Sequence, residues 1–245
     1  MADPATYREA VGDFSARPGH GWAGLPFFAG TAQALAERLD EKRQAGAVIC
    51  PPPEQVFAAL RATPLADVRA VILGQDPYPT PGDAHGFAFS VPSCRPIPRS
   101  LKFIFDAYSA DLGLPRPANG DLTGWARRGV LLLNCIFTVE SGSSNAHRHL
   151  GWETLAREVI ERINARREGV LFLLWGRNAE TLGRSIDRGR HVVVVTPHPS
   201  PLARGKTPKG APHPFVSARP FATANSALQS RGLPAIDWEL RESSA

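Results

Sequence analysis

Four short apolar runs divide the chain: Val68-Arg-Ala-Val-Ile-Leu73, Val130-Leu-Leu-Leu133, Val170-Leu-Phe-Leu-Leu174 and Val192-Val-Val-Val195. None alternates apolar with polar positions, so each predicts a strand covered on both faces. Helical spacing fills the intervals. Residues 31–44 place Leu35 and Leu39 four apart, and residues 152–165 put Leu155, Val159, Ile160 and Ile163 on one face. A further helix is expected from Ser100, as N-cap, to Tyr108. Pro51-Pro52-Pro53 interrupts the chain, and Pro53 suits the first position of a short helix carrying Val56, Phe57 and Leu60. Strands separated by helices are the pattern of βαβ units. The expected fold is α/β: a single domain with a short central four-stranded parallel sheet flanked by helices on both faces. Residues 1–30, with Pro18-Gly19 and Gly30, are expected to form a loop-rich N-terminal segment ahead of an α/β domain spanning 31–245.

The residues that follow the runs carry the chemistry. After the first comes Gly74-Gln75-Asp76-Pro77-Tyr78, after the second Asn134, after the third Trp175-Gly176, and after the fourth Thr196-Pro197-His198-Pro199-Ser200-Pro201-Leu202. In a parallel sheet these strand ends share one edge, where α/β folds bind ligands. Asp76, Asn134 and His198 therefore converge. A carboxylate there can orient a water or stabilise a developing cation. The planar amide of Asn134 offers one acceptor and two donors. His198, held between prolines, can act as a general acid or as a neutral donor to a developing oxyanion. Taken singly, each reads equally well as a turn, cap or structural residue.

Composition narrows the chemistry. The three cysteines, Cys50, Cys94 and Cys135, are widely spaced and no CxxC or HExxH pair occurs, so neither a disulfide scaffold nor a metal site is expected. No GxGxxG, GxxxxGK[ST] or GxSxG motif is present, so no nucleotide cofactor and no serine-hydrolase triad are expected. Only Asp83 stands near enough to Asp76 in sequence to be considered as a second catalytic carboxylate. No apolar run has the length of a membrane span, and residues 1–9 lack a signal-peptide core; a soluble cytoplasmic protein is expected. The formal net charge is +5, and residues 188–236 contain no Asp or Glu while carrying Arg188, Arg190, Arg204, Lys206, Lys209, Arg219 and Arg231. That segment reads either as a solvated basic face or as a surface facing phosphates.

Gly74-Gln75-Asp76-Pro77-Tyr78, Ala84-His85-Gly86, Phe89-Ser90-Val91, Gly129-Val-Leu-Leu-Leu-Asn134 and His198-Pro-Ser-Pro-Leu202 resemble, in this order, the motifs of family 1 uracil-DNA glycosylases of bacterial type. Gly151-Trp152-Glu153, Leu174-Trp175-Gly176 and Arg219-Pro220-Phe221 add weaker matches, and the likeness spans about residues 45–240. The resemblance implies a monofunctional DNA glycosylase that hydrolyses the N-glycosidic bond of a flipped uracil without metal or cofactor. It implies that Asp76 positions the water and favours the cationic sugar, and that neutral His198 stabilises the uracil anion. It also implies that Gln75 lies in the water-activating loop with its backbone toward uracil O2. Tyr78 would block the thymine methyl, Phe89 stack on the base, Asn134 read its N3–H and O4 edge, Leu202 wedge into the duplex, and Ser100 and Ser200 hold phosphates. Uracil-containing single- and double-stranded DNA, a phage inhibitor protein and replication proteins are the implied partners of a monomer.

The chain departs from the pattern at several places. Pro79 stands where many members have His, Arg177 where many have Ser after Trp-Gly, and Ala203 where many have Ser after the Leu. Residues 203–218 form a longer stretch than usual, with Gly205, Gly210 and three prolines. An irregular loop is expected there, whose Arg204, Lys206 and Lys209 track the DNA backbone. Two other readings fit parts of the pattern. Retention of both Asp76 and His198 argues against a non-catalytic DNA-binding relative, and a small-molecule α/β hydrolase would leave Leu202 and the acid-free segment without a role.

Overall fold

A computed structural model describes residues 3–205 and 212–240. In chain order the elements are α1 (Tyr7–Ser15), α2 (Pro26–Ala29), α3 (Thr31–Gln44), β1 (Ile49–Cys50), α4 (Ala58–Ala62), β2 (Ala70–Gly74), α5 (Arg99–Leu112), α6 (Thr123–Ala126), β3 (Val130–Asn134) and β4 (Val139–Glu140). They continue with α7 (Trp152–Arg166), β5 (Leu171–Trp175), α8 (Arg177–Leu182), β6 (Val192–Thr196), α9 (Pro214–Ser217) and α10 (Pro220–Gln229).

The four apolar runs form one parallel sheet in the order β3-β2-β5-β6. Side chains alternate across it. Val71, Leu73, Leu131, Leu133, Phe172 and Leu174 meet α1, α3 and α7 on one face, while Ile72, Val130, Leu132, Leu171 and Leu173 meet α5 and α10 on the other. This is the expected α/β layering. Because the chain passes from β2 to β3 and then crosses back over β2 to β5, the strand order reverses between β2 and β5. A crevice opens at such a reversal, beyond the carboxyl ends of the strands.

Several local expectations are corrected. The fourth run is an edge: Val193 is half-buried and Val195 is 41% exposed, because β6 has a neighbour only in β5. A two-stranded antiparallel pair, β1 with β4, was not foreseen, since two residues per strand leave no readable period. Helix α5 has its N-cap two residues early and runs on past Tyr108 to Leu112. Pro98, with an extended backbone, takes the N-cap position, and Ser100 sits in the first turn. Pro53 opens a 3₁₀ turn, Pro53–Gln55, ahead of α4.

The segment expected as loop-rich, 1–30, is largely helical. Thr6 and Glu9 form a capping box at the start of α1. The Asp40 carboxylate then accepts the backbone N–H groups of Tyr7 (2.8 Å) and Arg8 (3.1 Å). Phe14, Phe27 and Phe28 pack with Phe57 and Trp152 in one aromatic cluster, so this segment closes the core. Residues 203–218 also contain a helical turn, α9, which starts at Pro214 and is capped by the His213 side chain. Lys206, Lys209 and the Arg204 side chain lie outside the described residues. No described helix is long and apolar enough to cross a membrane.

Candidate active site

A cleft of about 470 Å³ occupies the crevice at the carboxyl ends of the strands. Gln75, Asp76, Tyr78, Phe89, Ser100, Asn134, His198, Ser200 and Leu202 all line it. Residues remote in sequence are thus brought together by strand order.

Gly74 and Asn134 end adjacent strands in register. A Cβ on Gly74 would collide with Asn134 Oδ1 and stand 2.8 Å from Ala88 Cβ, so the absent side chain is what lets the amide turn into the cleft. The Cys135 N–H donates to the Gly74 carbonyl (3.0 Å) and the Ile136 N–H to the Gln75 carbonyl (2.9 Å), lacing the two loops together. Asn134 is 8% exposed.

Asp76 is partly buried, and burial raises its carboxyl above the ordinary value. The Asn145 backbone N–H opposes that shift by donating to Asp76 Oδ2 at 2.7 Å. Asn145 was not singled out in the sequence. It sits at a left-handed φ of 62°, which Asn tolerates and which turns its N–H toward the carboxylate. Its Oδ1 accepts from Gln75 Nε2 (2.5 Å), and Gln75 Oε1 in turn accepts from Asn178 Nδ2 (2.6 Å). A polar chain therefore joins the loops after β4 and β2 to the first turn of α8. His147 anchors the Asn145 loop. It is fully buried, its Nδ1 lies 2.8 Å from Thr138 Oγ1, and Trp152 Nε1 donates to the same oxygen at 2.7 Å.

Phe89 also has a left-handed backbone, φ 63°, unusual for a bulky residue. The Tyr78 hydroxyl donates to its carbonyl at 3.0 Å. The Phe89 ring lies 5.2 Å from that of Trp175 and 5.9 Å from that of His198, centroid to centroid. Burial lowers the His198 pKa from its ordinary value, which favours the neutral ring. Gly176, at φ +88°, permits this approach, since a Cβ there would stand 2.8 Å from His198 Cβ. Leu202 projects from the rim with 91% of its surface exposed.

Asp83 does not line the cleft; Arg95 Nε holds its carboxylate at 2.6 Å. One desolvated carboxylate, Asp76, therefore faces the cleft, together with the buried Asn134 amide and the partly buried His198 imidazole. Among the described residues no group of three or more His, Cys, Asp or Glu side chains is arranged to hold a metal ion.

Comparison with known proteins identifies the family and the fold. The family model described as "Uracil DNA glycosylase superfamily" matches residues 61–229. A uracil-DNA glycosylase of Xanthomonas euvesicatoria pv. vesicatoria is 43% identical over 240 residues, covering 98% of this chain and 92% of the relative. One from Xanthomonas campestris pv. campestris is 47% identical over 208 residues, covering 85% and 83%. Among solved structures, a mimivirus UNG variant in complex with UGI superposes with a TM-score of 0.82 at 27% identity, covering 98% of this chain and 97% of that one. The mimivirus uracil-DNA glycosylase itself gives 0.72 at 29% identity, covering 84% and 80%. Family match, relatives and fold converge: the chain belongs to the uracil-DNA glycosylase superfamily, hydrolases that excise uracil from DNA in base excision repair.

Proposed function

We propose that the cleft divides the hydrolysis between Asp76 and His198. The observation that carries this reading is their pairing in one cleft: a partly buried carboxylate after β2 and a partly buried imidazole after β6, with Asn134 at the end of β3 beside the Asp76 loop. Breaking the N-glycosidic bond creates an oxocarbenium-like sugar and a uracil anion delocalised over O2. Asp76 orients the water and stabilises the cation. His198 donates a hydrogen bond to the anion. An anionic leaving group needs a donor more than full protonation, so a second carboxylic acid of the kind O-glycosidases use is not required. The decisive assay incubates the protein with uracil-containing DNA plus chelator and scores alkali-labile abasic sites; none formed would refute the reading.

Base selection falls to the walls. Asn134 offers its amide to the N3–H and O4 edge, Phe89 stacks on the ring, Tyr78 occupies the space of a thymine methyl, and the Gln75 backbone faces O2. The Tyr78 hydroxyl is tied to the Phe89 carbonyl, so the methyl barrier and the stacking platform hold one another in place. Asn134→Asp is expected to lower uracil excision at least tenfold, the effect of about 1.4 kcal/mol, because an acceptor then opposes O4. The same change is expected to admit cytosine, whose amino group donates. Tyr78→Ala is expected to admit thymine. Steady-state assays on matched oligonucleotides carrying uracil, cytosine or thymine check both; no new base accepted by either variant would remove these assignments.

The base must leave the stack, at a cost of a few kcal/mol. Burying Leu202 in the vacated space recovers about 1.5–3 kcal/mol. Phosphate contacts supply the remainder, and Ser100, Ser200, Arg204, Lys206 and Lys209 are proposed to make them. Alanine at Arg204, Lys206 and Lys209 together is expected to weaken binding to all sequences. It should flatten the log-affinity against log-salt slope by about 0.9 per lost contact on duplex and about 0.7 on single strands. An unchanged slope would detach this segment from DNA. We further propose a monomer working in the cytoplasm. The mimivirus relative solved with UGI supports a protein inhibitor as a partner.

A further inference from the structure

The loop that carries His198 is poor in backbone donors. Pro197, Pro199 and Pro201 have no N–H, so between β6 and Leu202 only His198 and Ser200 can donate from the main chain. The loop is held instead through an acceptor. The Ser200 carbonyl receives the Ala203 N–H at 2.9 Å and His213 Nε2 at 2.9 Å. His213 is not part of the cleft lining and is 4% exposed. Its other nitrogen, Nδ1, accepts the Phe215 N–H at 3.2 Å as the cap of α9, so Nε2 carries the proton directed at the Ser200 carbonyl. The ring face stacks on Phe103 of α5, with centroids 4.2 Å apart and planes at 26°. Both nitrogens and one face of the ring are thus committed.

We propose that His213 is a positioning residue for uracil excision: it clamps the Ser200 carbonyl to the α5–α9 body and so sets His198 and Leu202 on either side of that carbonyl. The inference rests on the reading of His198 as the group that stabilises the departing uracil. Misplacement of such a group by about 1 Å can cost about 10²-fold in rate, and the loss falls on kcat because the anion exists only in the transition state.

Two substitutions separate clamping from capping. His213→Asn keeps an N-cap acceptor for Phe215 but is too short to reach Ser200. His213→Gln carries an amide N–H near the former Nε2. For His213→Asn we expect a Tm within a few degrees of the parent, kcat at saturating uracil-containing DNA about tenfold to a hundredfold lower, and KM changed less than threefold. His213→Gln is expected to regain at least half of the lost rate on a logarithmic scale. Long-range ¹H–¹⁵N spectra of the parent protein, with His213→Asn to assign the signal, are expected to show the proton of this ring on Nε2. Parent-like kcat in His213→Asn, a rate loss that Gln does not relieve, or a proton on Nδ1 in the parent would each overturn the proposal. If His213→Asn fails to fold, His213→Gln assigns the signal, and the parent spectra still test the Nε2 proton on which the clamp depends. His198→Ala is assayed alongside: if it excises uracil as fast as the parent, the reading of His198 fails on its own, independently of His213.

Discussion

Asp76→Asn is expected to reduce turnover on uracil-containing DNA by about 10²–10⁴-fold, with DNA affinity changed only a few-fold. The charge it removes interacts with a cation that exists only at the transition state, so the loss falls on kcat. The same change is expected to leave the Tm at pH 7 unchanged or higher. Burial holds the folded-state pKa of Asp76 above the ordinary carboxylate value of 3.8. The folded state therefore binds this proton more tightly than the unfolded state. The group's favourable contribution is fully present below the ordinary value and is lost as pH rises through the raised one. At neutral pH the protein carries a desolvated anion, which a neutral amide relieves. Single-turnover kinetics with thermal melts at pH 7 check both halves. A fall below about tenfold would strip Asp76 of its central role.

His198→Ala is expected to cost about 10²–10³-fold in turnover, the usual effect of removing one donor from a developing oxyanion. Burial lowers the pKa of this imidazole from its ordinary value of 6.5, which favours the neutral ring. The parent enzyme is therefore expected to keep its activity as pH rises through that value and to lose it only on the acid side, as Asp76 and His198 take up protons. A rate that falls as pH rises through about 6–7, absent in His198→Ala, would instead identify an imidazolium acid.

The catalytic edge was legible because each apolar run ended in a polar residue that a parallel sheet must bring to one side. That reasoning located Asp76, Asn134 and His198 without knowing strand order. Order itself was not legible. Four successive valines look alike in a central or an edge strand, and only the pairing of β6 with β5 alone exposes Val195. Asn145 was missed for a related reason. Its bond to Asp76 spans 69 positions and depends on a left-handed backbone that no local pattern announces. The first helix was different, since its signals were present in the chain. Thr6 and Glu9 have capping-box spacing, and Tyr7, Ala10, Val11 and Phe14 follow helical period. Pro18-Gly19 and Gly30 outweighed them in the reading, although those residues only punctuate helices that the aromatic cluster then holds in place.

The edge position of β6 has a consequence for how the enzyme fails. Asp76 follows the central strand β2 and Asn134 ends β3, an edge strand buried along its whole length, whereas His198 follows β6, an edge strand with Val193 half-buried and Val195 exposed. Free energies of local opening grade from near zero at frayed edges to the global value in central strands. Detachment of β6 would remove the imidazole while leaving the carboxylate and the base-reading amide in place. Such a species would still present a uracil pocket and could not turn over. Amide exchange at 192–196 faster than at 70–74 would be its signature, and inactivation on warming would then precede the calorimetric transition instead of coinciding with it.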